Sequence, residues 1–120
     1  MSTILIVDDE VIDREHAERC LRKISDVRLL FAEDGKAALE LISSDCPDLV
    51  LTDLWMPEMN GLELVETLQE EYPLLPVILM TSRGNEQIAV KALKAGADSY
   101  VPKNVLKQEL VNTVRQDSQS

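Results

Sequence analysis

Ile4-Leu5-Ile6-Val7-Asp8-Asp9 sets four apolar residues in a row and then stops at two carboxylates. A strand with one wet face alternates apolar and polar side chains; an unbroken run reads as a strand covered on both faces, as in a parallel sheet. The run is far short of the ~20 residues that cross a bilayer. No basic stretch precedes it and acids follow at once, so it is not a signal peptide. Four further runs of this kind follow, and together the expected strands are 3–7, 27–32, 49–52, 77–81 and 99–101. The second and fifth are less uniformly apolar, which suits the edges of a sheet.

Amphipathic stretches fill the intervals. Ala17, Cys20, Leu21 and Ile24 recur at helical spacing opposite Glu15, Glu18, Arg19 and Arg22. Ala38, Leu41 and Ile42 follow Gly35; Leu64, Val65 and Leu68 follow Gly61; Ala89, Ala92 and Leu93 run up to Gly96. Gly96 stands where a helix C-cap glycine belongs. Leu106, Leu110, Val111 and Val114 form a last stripe, and a polar tail begins at about residue 116. Strand alternating with helix predicts an α/β fold, a doubly wound parallel sheet with helices on both faces.

The chain has 120 residues, enough for one domain with its own core and no second module. Its 22 acidic and 12 basic side chains leave a net charge of −10, which argues against direct nucleic-acid binding. With no spanning segment either, the reading is a cytoplasmic domain without membrane contact. Cys20 and Cys46 fit no metal or redox spacing and read as buried thiols in a reducing compartment. His16, the single histidine, reads as a solvated helix residue.

Ligands of open α/β sheets bind beyond the carboxyl ends of the strands. Asp8, Asp9 and Glu10 follow the first run, Asp53 the third, Thr81 and Ser82 end the fourth, and Lys103 follows the fifth. Clustered carboxylates raise one another's pKa unless a cation joins them. An all-oxygen acidic site beside room for phosphate oxygens suits Mg²⁺. A carboxylate there can attack phosphorus, with Mg²⁺, the Lys103 ammonium and the Thr81 hydroxyl each taking a phosphoryl oxygen.

Four motifs carry a resemblance: Ile4-Leu5-Ile6-Val7-Asp8-Asp9; Leu51-Thr52-Asp53-Leu54-Trp55-Met56-Pro57-Glu58-Met59-Asn60-Gly61; Met80-Thr81-Ser82; and Gly96-Ala97-Asp98-Ser99-Tyr100-Val101-Pro102-Lys103. Over residues 1–120 the chain resembles the receiver domain of two-component response regulators. The resemblance implies a single-domain, flavodoxin-like (βα)5 fold with strand order 2-1-3-4-5. It implies that Asp53 accepts a phosphoryl group from a phosphohistidine on a sensor histidine kinase or histidine phosphotransfer protein. Asp9 and Asp53 would ligate Mg²⁺ directly, Asp8 largely through water, and the Trp55 backbone carbonyl would complete the protein ligands. Thr81 and Tyr100 would be the switch pair, repacking the surface of helix four, strand five and helix five. The same likeness makes the domain an assistant in its own phosphorylation and dephosphorylation, not an enzyme with an external substrate. It allows a homodimer through that surface, with output through a downstream protein or an effector domain absent from this chain.

The chain departs from the commonest family pattern in two places. A proline often follows the lysine across a cis peptide; here Asn104 follows Lys103 and Pro102 precedes it. A cis bond between Lys103 and Asn104 would cost about 2.5–4 kcal/mol, and its isomer stays open. Trp55 is large for a site that water must enter, and with Arg83 it is expected to shield the aspartyl phosphate. Each feature alone has a plain explanation: Asp8-Asp9 as a helix start, Thr81-Ser82 as an N-cap, Lys103 as a surface charge, Tyr100 as a packed strand aromatic. Those explanations do not account for all the features meeting at one sheet edge. Two alternatives stand beside the switch: a degenerate receiver serving only as a binding platform, and an aspartate-nucleophile phosphohydrolase. The latter wants an acid two residues after its nucleophile, where Trp55 stands.

Overall fold

The computed structural model describes residues 2–24, 26–54, 56, 59–81 and 86–102. Among the described residues there are five strands: β1 (Ser2–Val7), β2 (Val27–Ala32), β3 (Leu49–Asp53), β4 (Val77–Thr81) and β5 (Ser99–Pro102). Four helices lie between them: α1 (Val11–Leu21), α2 (Gly35–Ser44), α3 (Gly61–Glu71) and α4 (Glu86–Ala95). All strand pairs are parallel, as the alternation of strand and helix predicts, and the order is β2-β1-β3-β4-β5, as the resemblance implies. The two weaker apolar runs are the two edges. The stripe at Leu106–Val114 lies outside the described residues.

Strand periodicity explains why the apolar runs are unbroken. Leu5, Val7, Val50, Val77 and Leu79 pack with Ala38, Ile42, Leu64, Val65, Leu68 and Ala92 from α2, α3 and α4. Their neighbours Ile4, Ile6, Leu49, Leu51, Ile78 and Met80 pack with Ala17, Cys20 and Leu21 of α1 on the other face. Successive side chains therefore enter opposite layers, and a polar residue at any of these positions would be buried.

Local chemistry sets the helix ends. Asp34 caps α2 by accepting from the Ala37 N–H at 2.7 Å. Asn60 and Glu63 form a reciprocal capping box on α3. α4 ends as expected at Gly96, with φ 118°, where the Gly96 and Ala97 N–H groups donate back to Leu93 and Ala92 carbonyls. Two aspartates tie strand starts together. Asp48 accepts from the Thr3 N–H at 2.7 Å while its own N–H donates to Thr3. Asp98 makes the same reciprocal pair with Val77, accepting at 2.8 Å.

Three expectations about individual side chains are corrected. Cys46 is exposed, because it lies in the turn between α2 and β3 instead of on either buried layer. Leu93 is 50% exposed, since α4 meets the sheet through Ala92. His16 is half-buried and lies 4.0 Å from the Cys20 sulfur one helical turn on, so it is not simply solvated.

Candidate metal and phosphoacceptor site

Register brings the strand ends together. Val7 pairs with Thr52, so Asp8 comes level with Asp53, the last residue of β3. Asp53 pairs with Met80, which places Thr81 one step further along the same edge. Thr81 pairs with Pro102, the residue before Lys103. The site thus lies where β1 has neighbours on both sides and the strand order reverses, the place where open α/β sheets bind ligands.

Carboxylate oxygens of Asp8, Asp9 and Asp53 all lie within 4.8 Å of one another. Asp8 and Asp53 are buried, at 0% and 5% exposure, whereas Asp9 is exposed. The buried pair is held by backbone. Asp8 Oδ1 accepts from the Glu10 N–H at 3.0 Å, and Asp53 Oδ1 accepts from the Leu54 N–H at 2.9 Å. The Leu54 peptide is itself fixed, donating to the Asp53 carboxylate and to the Met80 carbonyl at 3.0 Å. The Leu54 carbonyl accepts from the Gly61 N–H at 2.8 Å, so the start of α3 presses against the end of β3.

Gly61 is required by that approach: a Cβ there would collide with the Asp53 carbonyl oxygen and come within 2.8 Å of the Leu54 Cα. The turn carrying Asp8 and Asp9 is tied similarly. The Asp8 N–H donates to Ala32 of β2 at 3.0 Å, and Arg14 donates from Nη1 to the Asp8 carbonyl at 2.6 Å.

Two like charges 4 Å apart repel by about 1 kcal/mol in water and by several at a partly buried surface. Three carboxylates held this close therefore favour a cation between them. The donor set is entirely oxygen, small in number and open on the Asp9 side, which fits Mg²⁺ with water completing its shell. Among the described residues, this is the one group of three or more His, Cys, Asp or Glu side chains able to hold a metal. A cavity of about 540 Å³ lies elsewhere, between α3 and α4. Size is a poor guide here, because a metal ion and a phosphoryl group need only a shallow acidic notch.

The other expected site residues divide into two sets. Tyr100 lies on β5 opposite Leu79 and packs against the layer formed with α2, α3 and α4. Its hydroxyl oxygen is shut away from water and has no hydrogen-bond partner among the described residues. Burial pushes the phenol above its ordinary value of 10.0. Thr81 ends β4 as expected. Trp55, Arg83, Lys103 and the Lys103–Asn104 bond lie outside the described residues. Arg14 and Asp48 escaped the sequence reading, since a lone arginine on a helix or a lone aspartate before a strand carries no pattern, and the motif that holds Asp98 did not tell of its tie to Val77.

The model of the response regulator receiver domain matches residues 4–115. The chain belongs to the response regulator receiver family. Response regulator MprA of Mycolicibacterium vanbaalenii is 39% identical to this receiver domain over 112 residues, 93% of this chain and 48% of the relative. MprA of Mycobacterium ulcerans is 38% identical over the same lengths. The chain therefore spans about half the length of these relatives.

Among solved structures, the signal receiver domain of the putative response regulator NarL from Mycobacterium tuberculosis superposes with a TM-score of 0.91 at 29% identity, covering 99% of this chain and 97% of that one. The response regulator domain of Thermotoga maritima CheB gives 0.90 at 25% identity, covering 100% and 98%. Receiver domains serve phosphorylation-dependent signalling and interact with kinases or phosphotransfer proteins. They generally bind Mg²⁺ at an acidic pocket, and the aspartate trio here has the chemistry of one. Among the described residues, no helix is long and apolar enough to cross a membrane.

Proposed function

We propose that residues 1–120 form one receiver domain acting as a phosphorylation switch, with Asp53 as phosphoacceptor. The observation that carries this reading is the meeting of the Asp8, Asp9 and Asp53 carboxylates within 4.8 Å at the reversal point of the sheet. Asp8, Asp9, Asp53 and the Trp55 backbone carbonyl would hold Mg²⁺, with Asp8 acting largely through water. The ion supplies positive charge to the phosphoryl oxygens as they move.

An Asp53 carboxylate oxygen attacks phosphorus, the phosphorus–nitrogen bond of the donor phosphohistidine breaks, and the imidazole leaves with the bonding pair and takes a proton. The hydrogen bond from the Leu54 N–H to Asp53 Oδ1 holds the carboxylate's orientation as this happens. Lys103 pairs with a phosphoryl oxygen and the Thr81 hydroxyl donates to another. Trp55 and Arg83 cover the product and slow its hydrolysis. Thr81 drawn toward the phosphate would leave space for the Tyr100 ring to fill, which would reshape the face of α4, β5 and the fifth helix expected from the sequence.

The domain assists its own phosphorylation and dephosphorylation and turns over no external metabolite. Its partners are a sensor histidine kinase or phosphotransfer protein and, through the reshaped face, a downstream protein, an effector segment or a second copy. It works in the cytoplasm. A donor bearing phosphohistidine should pass its phosphoryl group to the chain in Mg²⁺ and retain it in EDTA. A chain that binds the donor yet takes nothing from it would be a binding platform instead.

A further inference from the structure

Asp9 is the exposed member of the acidic trio, so packing does little to fix its direction. What fixes it is the peptide unit before it. The Asp8 carbonyl belongs to the rigid Asp8–Asp9 peptide plane, and the tilt of that plane sets where the Asp9 side chain leaves the backbone. Arg14 Nη1 donates to that carbonyl at 2.6 Å. The same residue's N–H donates to the Glu10 carbonyl at 3.0 Å, and the Glu10 N–H donates to Asp8 Oδ1 at 3.0 Å. One residue thus closes a ring of hydrogen bonds around the turn that carries both acids.

Arg14 is also in an unfavourable place by local rules. It is the fourth residue of α1, and the positive end of a helix dipole disfavours a cation in the first turn. Glu10, the N-cap, makes no side-chain capping bond, so the start of this helix is not held by ordinary capping. A local rule broken beside a site is where a functional constraint is expected. Arg14 is half-buried, and its guanidinium reaches a backbone carbonyl, which orients the turn while leaving the carboxylates to the metal.

We propose that Arg14 is the positioning residue of the acidic pocket, locking the Asp8–Asp9 peptide so that Asp9 faces Asp53 and Mg²⁺ binds tightly. This rests on the reading of the aspartate trio as the Mg²⁺ site. The test titrates Mg²⁺ into the full chain by calorimetry for the wild type, Arg14→Ala and Arg14→Lys, with urea unfolding of each metal-free protein alongside.

Arg14→Ala should raise the Mg²⁺ dissociation constant about 10-fold, the usual scale for losing a group that orients a metal ligand. Arg14→Lys, which can still donate to the carbonyl, should recover most of that loss. Phosphorylation by acetyl phosphate should need more Mg²⁺ to reach half its maximal rate in Arg14→Ala, with the maximal rate retained. A purely structural role would lower the unfolding midpoint and leave the affinity of the folded protein unchanged. An Arg14→Ala protein that binds Mg²⁺ as tightly as the wild type, or more tightly, overturns the proposal alone. A wild type that binds no Mg²⁺ overturns the reading of the site and the proposal with it.

Discussion

At the scale of the residue, Gly61 is the contact on which the geometry around Asp53, the proposed phosphoacceptor, depends. Its backbone meets Asp53 and Leu54 so closely that a methyl group must displace main chain instead of a flexible side chain. Two effects compete in Gly61→Ala. Alanine gains about 0.5–1 kcal/mol of helix propensity, while forcing extra volume into packed structure costs typically 1–3 kcal/mol. The steric term wins, so Gly61→Ala should lose about 1–2 kcal/mol in urea unfolding and bind Mg²⁺ more weakly; unchanged stability would mean that α3 can back away freely. The site residues legible in the sequence were those at strand ends, Asp8, Asp9 and Asp53, because an apolar run that stops at an acid marks position and chemistry together. The Arg14 contact was not legible, since it depends on a side chain folding back six residues onto a carbonyl.

At the scale of the element, β5 shows how far periodicity reaches. The run at 99–101 identified an edge strand, and register with β4 puts Tyr100 opposite Leu79. Nothing in the run told that its hydroxyl would be buried without a partner among the described residues. A phenol held neutral by burial, with its pKa raised above 10.0, adds stability that is complete below that value. As the pH climbs past it the unfolded chain ionises first, and this contribution is lost. Tyr100→Phe removes both the buried hydroxyl and this alkaline sensitivity. Its unfolding free energy at neutral pH should match the wild type or exceed it by up to about 1 kcal/mol, and it should fall less steeply above pH 10. A markedly less stable variant would reveal a hydrogen bond to the hydroxyl.

The helices were legible where an apolar stripe met the sheet, as with Leu64, Val65 and Leu68. They were misjudged where the stripe ran one residue too wide, as with Leu93. Asp48 and Asp98, which tie β1 and β4 to the turns before their neighbours, look in sequence like any polar turn residue.

At the scale of the whole molecule, the domain carries a net charge of −10 and concentrates three carboxylates at one edge. On the proposed reading Mg²⁺ would bind that arrangement only once folding has assembled it, and the ion would then stabilise the fold. At a hundred times its dissociation constant, Mg²⁺ should add about 2.7 kcal/mol to the unfolding free energy. Asp9→Asn should abolish most of that gain and leave the metal-free protein at least as stable, because one repelling charge has gone. A wild type whose melting temperature ignores Mg²⁺ would contradict the metal assignment. The fold as a whole was legible because a doubly wound sheet writes both of its layers into every central strand.

The central claim, that Asp53 takes the phosphoryl group with Mg²⁺ held beside it, has a direct test in intact-mass spectrometry after incubation with acetyl phosphate. One added phosphoryl group is expected on the wild type in Mg²⁺, none in EDTA, and none on Asp53→Ala under either condition. Equal uptake by Asp53→Ala, or uptake that does not depend on Mg²⁺, would contradict it.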